Sequence, residues 1–339
     1  MISSSVNPAK FSYKVRNWQT YNKSLCNRGK ITLFFTPRVL RIWRNINPNK
    51  TIVGEKMYPD FIIETCLTLA KLYRLPLRQT TGFVRDLLNQ LGLQDCPVPD
   101  YTTLSRRQKN LGIDISVSFP SHKNLSIAVD STGLKVYGEG EWKVKKHGAG
   151  KHRTWLKLHL AVNVQTQEIL LAHLTSNAVH DAQGAIDMFS DKIEKENIHN
   201  FYGDGAYDNF ELREFLSTST QQIIPPPKNA VVKKGTDKKP VPDYLVQRNK
   251  AIERQKEIGS KEWKKEINYH QRSLSETAMY RYKVIFGDKV EARTEENQKT
   301  EVLIKCKILN RFGQEGMPNS YKVEYSQTVT SNFCKFEKN

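Results

Sequence analysis

The stretch from Thr154 to Ser176, TWLKLHLAVNVQTQEILLAHLTS, alternates apolar and polar side chains over much of its length. Alternation is the period of a β-strand, whose successive side chains point to opposite faces of a sheet. A polar break near Gln165–Gln167 divides the stretch into two strands joined by a turn. Just before it, NLSIAVDSTGLKVYG reads as a short apolar strand from Leu125 to Val129, then Asp130, then a turn at Gly133. After it, DAQGAIDMFSDKIEKE reads as a helix capped by Asp181. IHNFYGDGAYDNFELREFLS reads as a short strand, a turn and a helix. QQIIPPPKNA reads as a strand stopped by three prolines, which cannot donate to a ladder. The order is therefore β-β-β-α-β-α-β followed by a long helix. That order predicts a mixed α/β domain whose sheet starts antiparallel.

The first third has a different texture. YPDFIIETCLTLAKLY carries apolar residues at helical spacing behind Pro59. LRQTTGFVRDLLNQLG ends at Gly92, a good C-cap. PDYTTLSRRQKNLG opens at Asp100, a good N-cap. The last of these would display Thr102, Thr103, Ser105, Arg106, Arg107 and Lys109, the residue types that contact phosphates and base edges. Residues 78–110 resemble a helix-turn-helix, although Leu93 to Pro99 is longer than the usual turn. An ordinary helical bundle with a basic rim is the competing reading.

Charge favours the DNA-contact reading. The 339 residues hold 53 Lys and Arg against 35 Asp and Glu, a net charge of +18. Residues 1–120 hold 18 against 7, so the positive density is highest there. Such an excess points to a polyanionic partner, nucleic acid before membrane. No run of 18 apolar residues spans a membrane, and the N-terminus lacks the apolar segment of a signal peptide. The five cysteines are dispersed, odd in number and without a CxxC pair. That argues against a disulfide framework or a cysteine zinc site and fits a cytoplasmic protein.

In a basic protein, acidic residues at rigid positions stand out. Cleaving a phosphodiester with divalent cations needs carboxylate oxygens, because such cations are hard. Asp130 ends an apolar strand, although an aspartate that merely opens a turn would read the same way. Asp204 follows a strand between Gly203 and Gly205, where a ligand backbone can approach closely, or where a plain turn can form. Asp208 and Asp181 have helix-capping tasks instead. In YHQRSLSETAMYRYK, helix geometry at about 100° per residue puts Tyr269, Arg272, Glu276 and Lys283 within an arc of about 60°. Ile267, Leu274, Ala278 and Ile285 fall on the opposite side and form the expected core face. A solvated stripe would look similar, residue by residue.

Together these residues resemble a known family. Tyr269, Arg272, Glu276 and Lys283 satisfy the Tyr-x2-Arg-x3-Glu-x6-Lys spacing of bacterial insertion-sequence transposases of the DDE class. Asp204-Gly-Ala-Tyr and Asp130-Ser-Thr resemble the motifs around that family's two aspartates. PPPKNA and LPLRQTTGFVRDLL…VPDYTTLSRR are also similar, so the likeness covers roughly residues 15–315.

The resemblance implies an RNase H-like catalytic domain at 121–315, after a basic helical DNA-binding region at 1–120 and before a tail at 316–339. It implies that Asp130, Asp204 and Glu276 are the catalytic residues and hold two Mg²⁺, with Mn²⁺ a possible substitute. Tyr269, Arg272 and Lys283 would contact phosphates. WKVKKHGAGKHR, with Lys145 and Lys146, would add a basic DNA-facing loop, alongside Arg106 and Arg107. The partners would be double-stranded DNA, both transposon ends and target, with a dimer in the synaptic complex near the nucleoid. The alternatives are an RNase H-like nuclease that cleaves without joining, and an inactive DNA-binding derivative that acts as a repressor.

Overall fold

In a computed structural model, the described residues are 11–46, 57–115, 124–136, 155–190, 197–216, 219–235 and 240–324. The chain divides into two compact units, Met1–Lys30 with Gln314–Asn339, and Ile31–Gly313. In the smaller unit, Phe11–Val15 pairs antiparallel with Ser320–Glu324, Tyr13 opposite Lys322. The helix Trp18–Arg28 follows, and Arg28 Nη2 donates to the Gly316 carbonyl at 2.6 Å. The first third is therefore not wholly helical: its opening strand pairs with one from the far end of the chain.

The larger unit begins with helices α1 (Pro37–Arg44), α2 (Asp60–Leu72), α3 (Leu77–Gln90) and α4 (Tyr101–Gln108). Their ends follow the sequence signals. Asp100 accepts from the Thr102 N–H at 2.8 Å, closing the first turn of α4. Gly92 takes φ +70° after α3, and Leu93 N–H reaches back to the Leu88 carbonyl, the Schellman pattern. Ile62, Ile63, Leu67, Val84, Leu88 and Leu104 from α2–α4 pack with the fully buried Trp43.

Next come β1 (Leu125–Val136), β2 (Trp155–Asn163), β3 (Ile169–Ser176), α5 (Asp181–Phe189), β4 (Ile198–Tyr202), α6 (Phe210–Phe215) and β5 (Gln221–Ile223). The chain continues through α7 (Asp243–Ile258), α8 (Ser260–Glu266), a 3₁₀ turn at Tyr269–Arg272, α9 (Ser273–Phe286), β6 (Lys289–Val290) and α10 (Glu295–Glu315). The six-stranded sheet runs β3-β2-β1-β4-β5, with β6 also pairing to β1. β1–β2 and β2–β3 are antiparallel, while β4, β5 and β6 join in parallel. The fold is the expected mixed α/β one, a mixed sheet flanked by helices.

Side-chain alternation along β1 splits the core between two sides. Ile127 and Val129 pack with Ala185, Met188 and Phe189 of α5 and Leu212 of α6. Leu134 packs on the other side with Ala278, Met279 and Tyr282 of α9 and Val302, Cys306 and Leu309 of α10. α10 also turns Ile304, Ile308 and Phe312 into the helical bundle, so one helix serves two cores. The buried Glu301 of α10 accepts from the Glu291 and Ala292 N–H groups and from Lys305, and pairs with Lys71 of α2 at 3.3 Å. Burial works to raise the Glu301 carboxyl, but the Lys71 and Lys305 charges overcome it and hold the group below its ordinary value. Asn310 accepts from Ile169 N–H and donates to the Ile115 carbonyl, both at 2.8 Å, tying α10 to the start of β3.

β1 is longer than the sequence suggests. Gly133 pairs with Lys157 inside the strand rather than opening a turn, so Asp130 lies mid-strand opposite Leu160. The apolar run stops at Val129 because the following residues face polar groups, not because the strand ends. One close approach is worth testing. A Cβ on Gly184 of α5 would lie 2.4 Å from the ring of His159, which is fully buried and cannot swing away. Alanine there improves helix propensity by about 1 kcal/mol, yet overpacking outweighs it. Gly184→Ala should lower the unfolding free energy by about 1–3 kcal/mol, measured by urea denaturation.

Candidate active site

Two parallel strands place the first two acidic residues. Ala128 of β1 pairs with Tyr202 of β4. Two residues further along each strand come Asp130 and Asp204. A step of two keeps a side chain on the same face, and neighbouring strands are about 4.8 Å apart, so the two carboxylates lie side by side on one face. Asp204 is past the last paired residue but still extended, at φ −81° and ψ −175°. Its carboxylate accepts from Ala206 N–H at 2.8 Å and caps the 3₁₀ turn Gly205–Tyr207.

Glu276 arrives from the far end of the fold on α9. The helix does not begin at Tyr269 as its spacing suggests. Asn268 takes the left-handed conformation at φ 53°, Tyr269–Arg272 forms a 3₁₀ turn, and α9 starts at Ser273. The buried face of α9 is Ser275, Ala278, Met279 and Tyr282. It is centred about one residue from the expected face, so Glu276 and Lys283 flank it by about 100° instead of opposing it. Flanking is what lets the Glu276 side chain lean toward the sheet while staying half exposed.

Arg272 joins the parts. Its Nη1 donates to Asp130 Oδ2 at 3.2 Å and its Nη2 donates to Glu276 Oε1. The guanidinium lies 5.8 Å from the Tyr269 ring, and Lys264 Nζ lies 4.9 Å from the same ring. Tyr269 itself packs on Ala128, Tyr202 and Ile223. Burial raises the Asp130 carboxyl above its ordinary value, and the Asp204 and Glu276 charges add to this, while the Ser131 N–H and Arg272 oppose it. Burial likewise raises the Tyr269 phenol, helped by the three carboxylates and opposed by Arg272. Asp130 thus feels both of the other carboxylates, and all three act on one phenol.

Behind Asp130, on the opposite face of β1, lies a polar cluster the sequence did not single out. Ser131 Oγ donates to Asp181 Oδ1 at 2.7 Å. Lys157 Nζ reaches the Val179 carbonyl at 2.8 Å and Asp181 at 3.3 Å. Asp181 thus opens α5 without capping it, and His180 is the N-cap. Tyr207 is buried nearby, and among the described residues its hydroxyl has no hydrogen-bond partner. Burial first, then the Asp130, Asp181 and Asp204 charges, push its phenol well above the ordinary value. His159 sits in hydrogen-bond reach of Thr175 Oγ1 at 2.9 Å, its pKa pushed down to about 4 by burial. The sequence signal for this cluster was available: Lys157 and His159 are the polar half of the β2 alternation.

Asp208 also has a different task from the expected cap. Asn209 caps α6, accepting from Glu211 and Leu212 N–H groups. Asp208 is buried between two guanidiniums, Arg213 Nε at 2.8 Å and Arg248 Nε at 3.0 Å. Arg213 further donates to Gln222 Oε1 and the Ile224 carbonyl. The turn that starts at Asp204 is thereby fixed to β5 and α7.

The other expected contacts are scattered. Arg106 is exposed on α4, whereas Arg107 donates to the Tyr58 carbonyl and to Asp60. Lys283 is half-buried on α9. Lys145 and Lys146 lie outside the described residues. Among the described residues no three acidic, histidine or cysteine side chains are already drawn together as a metal-ligand set. The donor chemistry of Asp130, Asp204 and Glu276 nevertheless suits a hard divalent cation, since all are carboxylates, two carried by neighbouring strands and one by α9. No helix among the described residues is long and apolar enough to cross a membrane.

Carboxylates gathered on one face of a mixed sheet, in a strongly basic chain, suit chemistry on a polyanion. Two family profiles match the chain, both described as Transposase DDE domain, over residues 26–139 and 122–311. The second spans more than half of the chain, which belongs to this family and is a DDE transposase. Among solved structures, a cryo-EM structure of a piggyBac transposase synaptic complex with hairpin DNA overlays with a TM-score of 0.36 at 10% identity, over 84% of this chain and 73% of that one. That likeness is too loose to bear on the site.

Removing Asp208 would leave two buried guanidiniums with no counter-charge. Asp208→Ala should cost about 3–5 kcal/mol of stability, read from denaturant midpoints, a larger loss than Glu211→Ala on the exposed side of α6.

Proposed function

We propose that this transposase binds the ends of an insertion element, cleaves them by metal-dependent hydrolysis, and joins the freed 3′-hydroxyl to target DNA. The observation that carries the reading is the register of the adjacent parallel strands β1 and β4, which sets Asp130 beside Asp204 just past the end of β4, with Glu276 linked to Asp130 through Arg272. In this reading Asp130, Asp204 and Glu276 hold two Mg²⁺, and Mn²⁺ can substitute. Bound cations would supply the positive charge that activates an attacking oxygen and supports a leaving one.

The chain's own residues do the positioning. Asp130 is held by a strand paired on both sides, Asp204 by its capped turn, and Glu276 by the buried face of α9. Tyr269, Arg272 and Lys283 contact phosphates of the DNA end, Arg272 as a fork and Lys283 as a point charge. Arg106, with Thr102, Ser105 and Lys109 exposed and Thr103 half-buried beside it on or just after α4, forms part of a helical DNA-binding region within residues 1–120. Lys145 and Lys146 extend the basic surface. Two ends brought together imply a dimer on DNA.

Asp130→Asn, Asp204→Asn and Glu276→Gln should each abolish Mg²⁺-dependent cleavage of a labelled end fragment while leaving its binding intact. Cleavage at the wild-type rate by any of them removes that residue from the site. Joined products with wild-type protein separate a transposase from a nuclease that only cleaves. On α4 the two arginines should behave differently. Arg106→Ala should reduce the slope of log affinity against log salt by about 1 with little change in stability. Arg107→Ala should cost about 1 kcal/mol of stability, because its bonds go to the protein.

A further inference from the structure

The bond set of Arg272 has a consequence for how the site loads. The guanidinium lies between two acidic groups that come from different elements, strand β1 and helix α9, and it donates to both. It is mostly buried there, with 18% of its side chain exposed, and Asp130 is equally enclosed at 17%. A fixed positive charge in that position offsets the repulsion between carboxylates that would otherwise face each other with little water. Asp130 Oδ2 and Glu276 Oε1, the oxygens it occupies, belong to the carboxylates a divalent cation would use. A guanidinium has no acceptor and cannot shed its charge, so it cannot share a carboxylate with a cation as a neutral ligand would.

We propose that Arg272 is an internal stand-in cation. In the DNA-free chain it bridges Asp130 and Glu276, and it must leave them before a divalent cation binds. A DNA phosphate near Tyr269 is what draws it away. This rests on the reading that Asp130 and Glu276 are cation ligands. The surroundings offer the second position. The Tyr269 ring, with Lys264 on it at 4.9 Å and Arg272 at 5.8 Å, marks a small cationic corner beside the carboxylates. A phosphate entering that corner can take the fork of Arg272 with two parallel hydrogen bonds. The arginine then trades one set of anionic oxygens for another, and the carboxylates are released for a cation.

Metal loading and DNA binding thereby become coupled, and the coupling is reciprocal: whatever DNA does for the cation, the cation does for DNA. A protein built this way carries little divalent metal off its DNA and completes its site only on it.

The test uses the full chain and Mn²⁺, with free Mn²⁺ followed by electron paramagnetic resonance during titration. Arg272→Gln should bind Mn²⁺ more tightly than wild type without DNA, by on the order of tenfold, within the usual range of such couplings. Saturating duplex DNA carrying the element's end should tighten Mn²⁺ binding by wild type by a similar factor and leave Arg272→Gln nearly unchanged. Arg272→Lys, which keeps the charge but not the fork, should fall between the two and provides a second variant should the glutamine chain not fold. Equal Mn²⁺ affinity of wild type and both variants without DNA would overturn the proposal. Asp130→Asn and Glu276→Gln serve as the reference for the site itself. If they weaken Mn²⁺ binding while the Arg272 variants change nothing, only the stand-in role fails. If they too change nothing, the assignment of the carboxylates fails with it.

Discussion

β1 is the constraint on which the rest of the larger unit depends. It pairs with β2 along one edge and with β4 and β6 along the other, and both of its faces are covered. A parallel neighbour cannot be reached by a tight turn, so the chain must travel through β3 and α5 before β4 can lie beside β1. That detour brings Asp204 level with Asp130. The same logic applies after β5, where α7, α8 and the 3₁₀ turn precede α9, and β6 returns to β1 at Lys135. Asp204 and Glu276 thus each follow a long excursion that returns to the strand carrying Asp130, and that central strand is the common reference for all three.

Holding like charges together is the second demand, and the fold meets it with fixed partners instead of solvent. Arg272 bridges two of the carboxylates, backbone N–H groups satisfy Asp130 and Asp204, and Asp208 is clamped by two arginines a few residues away. Glu301 repeats the device where α10 meets α2, with two lysines and two N–H groups around one buried carboxylate. Such networks are weak sources of net stability but strong sources of specificity, because a shifted register would leave a charge without its partner. The half-exposed Glu276 is the least enclosed member, consistent with a side chain that must move when the site changes partners.

Much of this was legible from pattern alone. The alternation of β2 and β3, the prolines after β5, the cap at Asp100 and the left-handed glycine at the end of α3 all follow from local rules that do not need a tertiary structure. The differences share one cause, long-range partners. Apolarity ends at Asp130, as it would at the end of a strand, but Ser131 is polar because it faces Asp181, which lies 50 residues on. Capping is the local use of aspartate, whereas the partners of Asp181 and Asp208 are Lys157, Arg213 and Arg248. The spacing of Tyr269 fits the helix of Glu276, yet Asn268 turns left-handed and the helix starts four residues after Tyr269.

Most strands and helices of the larger unit, the basic character of the chain and the spacing of its candidate carboxylates depend on residue type and on distance along the chain, so they can be read without a fold. The strand Phe11–Val15 with its partner Ser320–Glu324, the short β6, the level placement of Asp130 and Asp204, the position of Arg272 between Asp130 and Glu276, and the polar cluster of Ser131, Asp181 and Lys157 behind the first aspartate cannot. Those facts depend on strand register and helix rotation, which are set by packing summed over the whole unit and leave no mark in any single stretch of sequence.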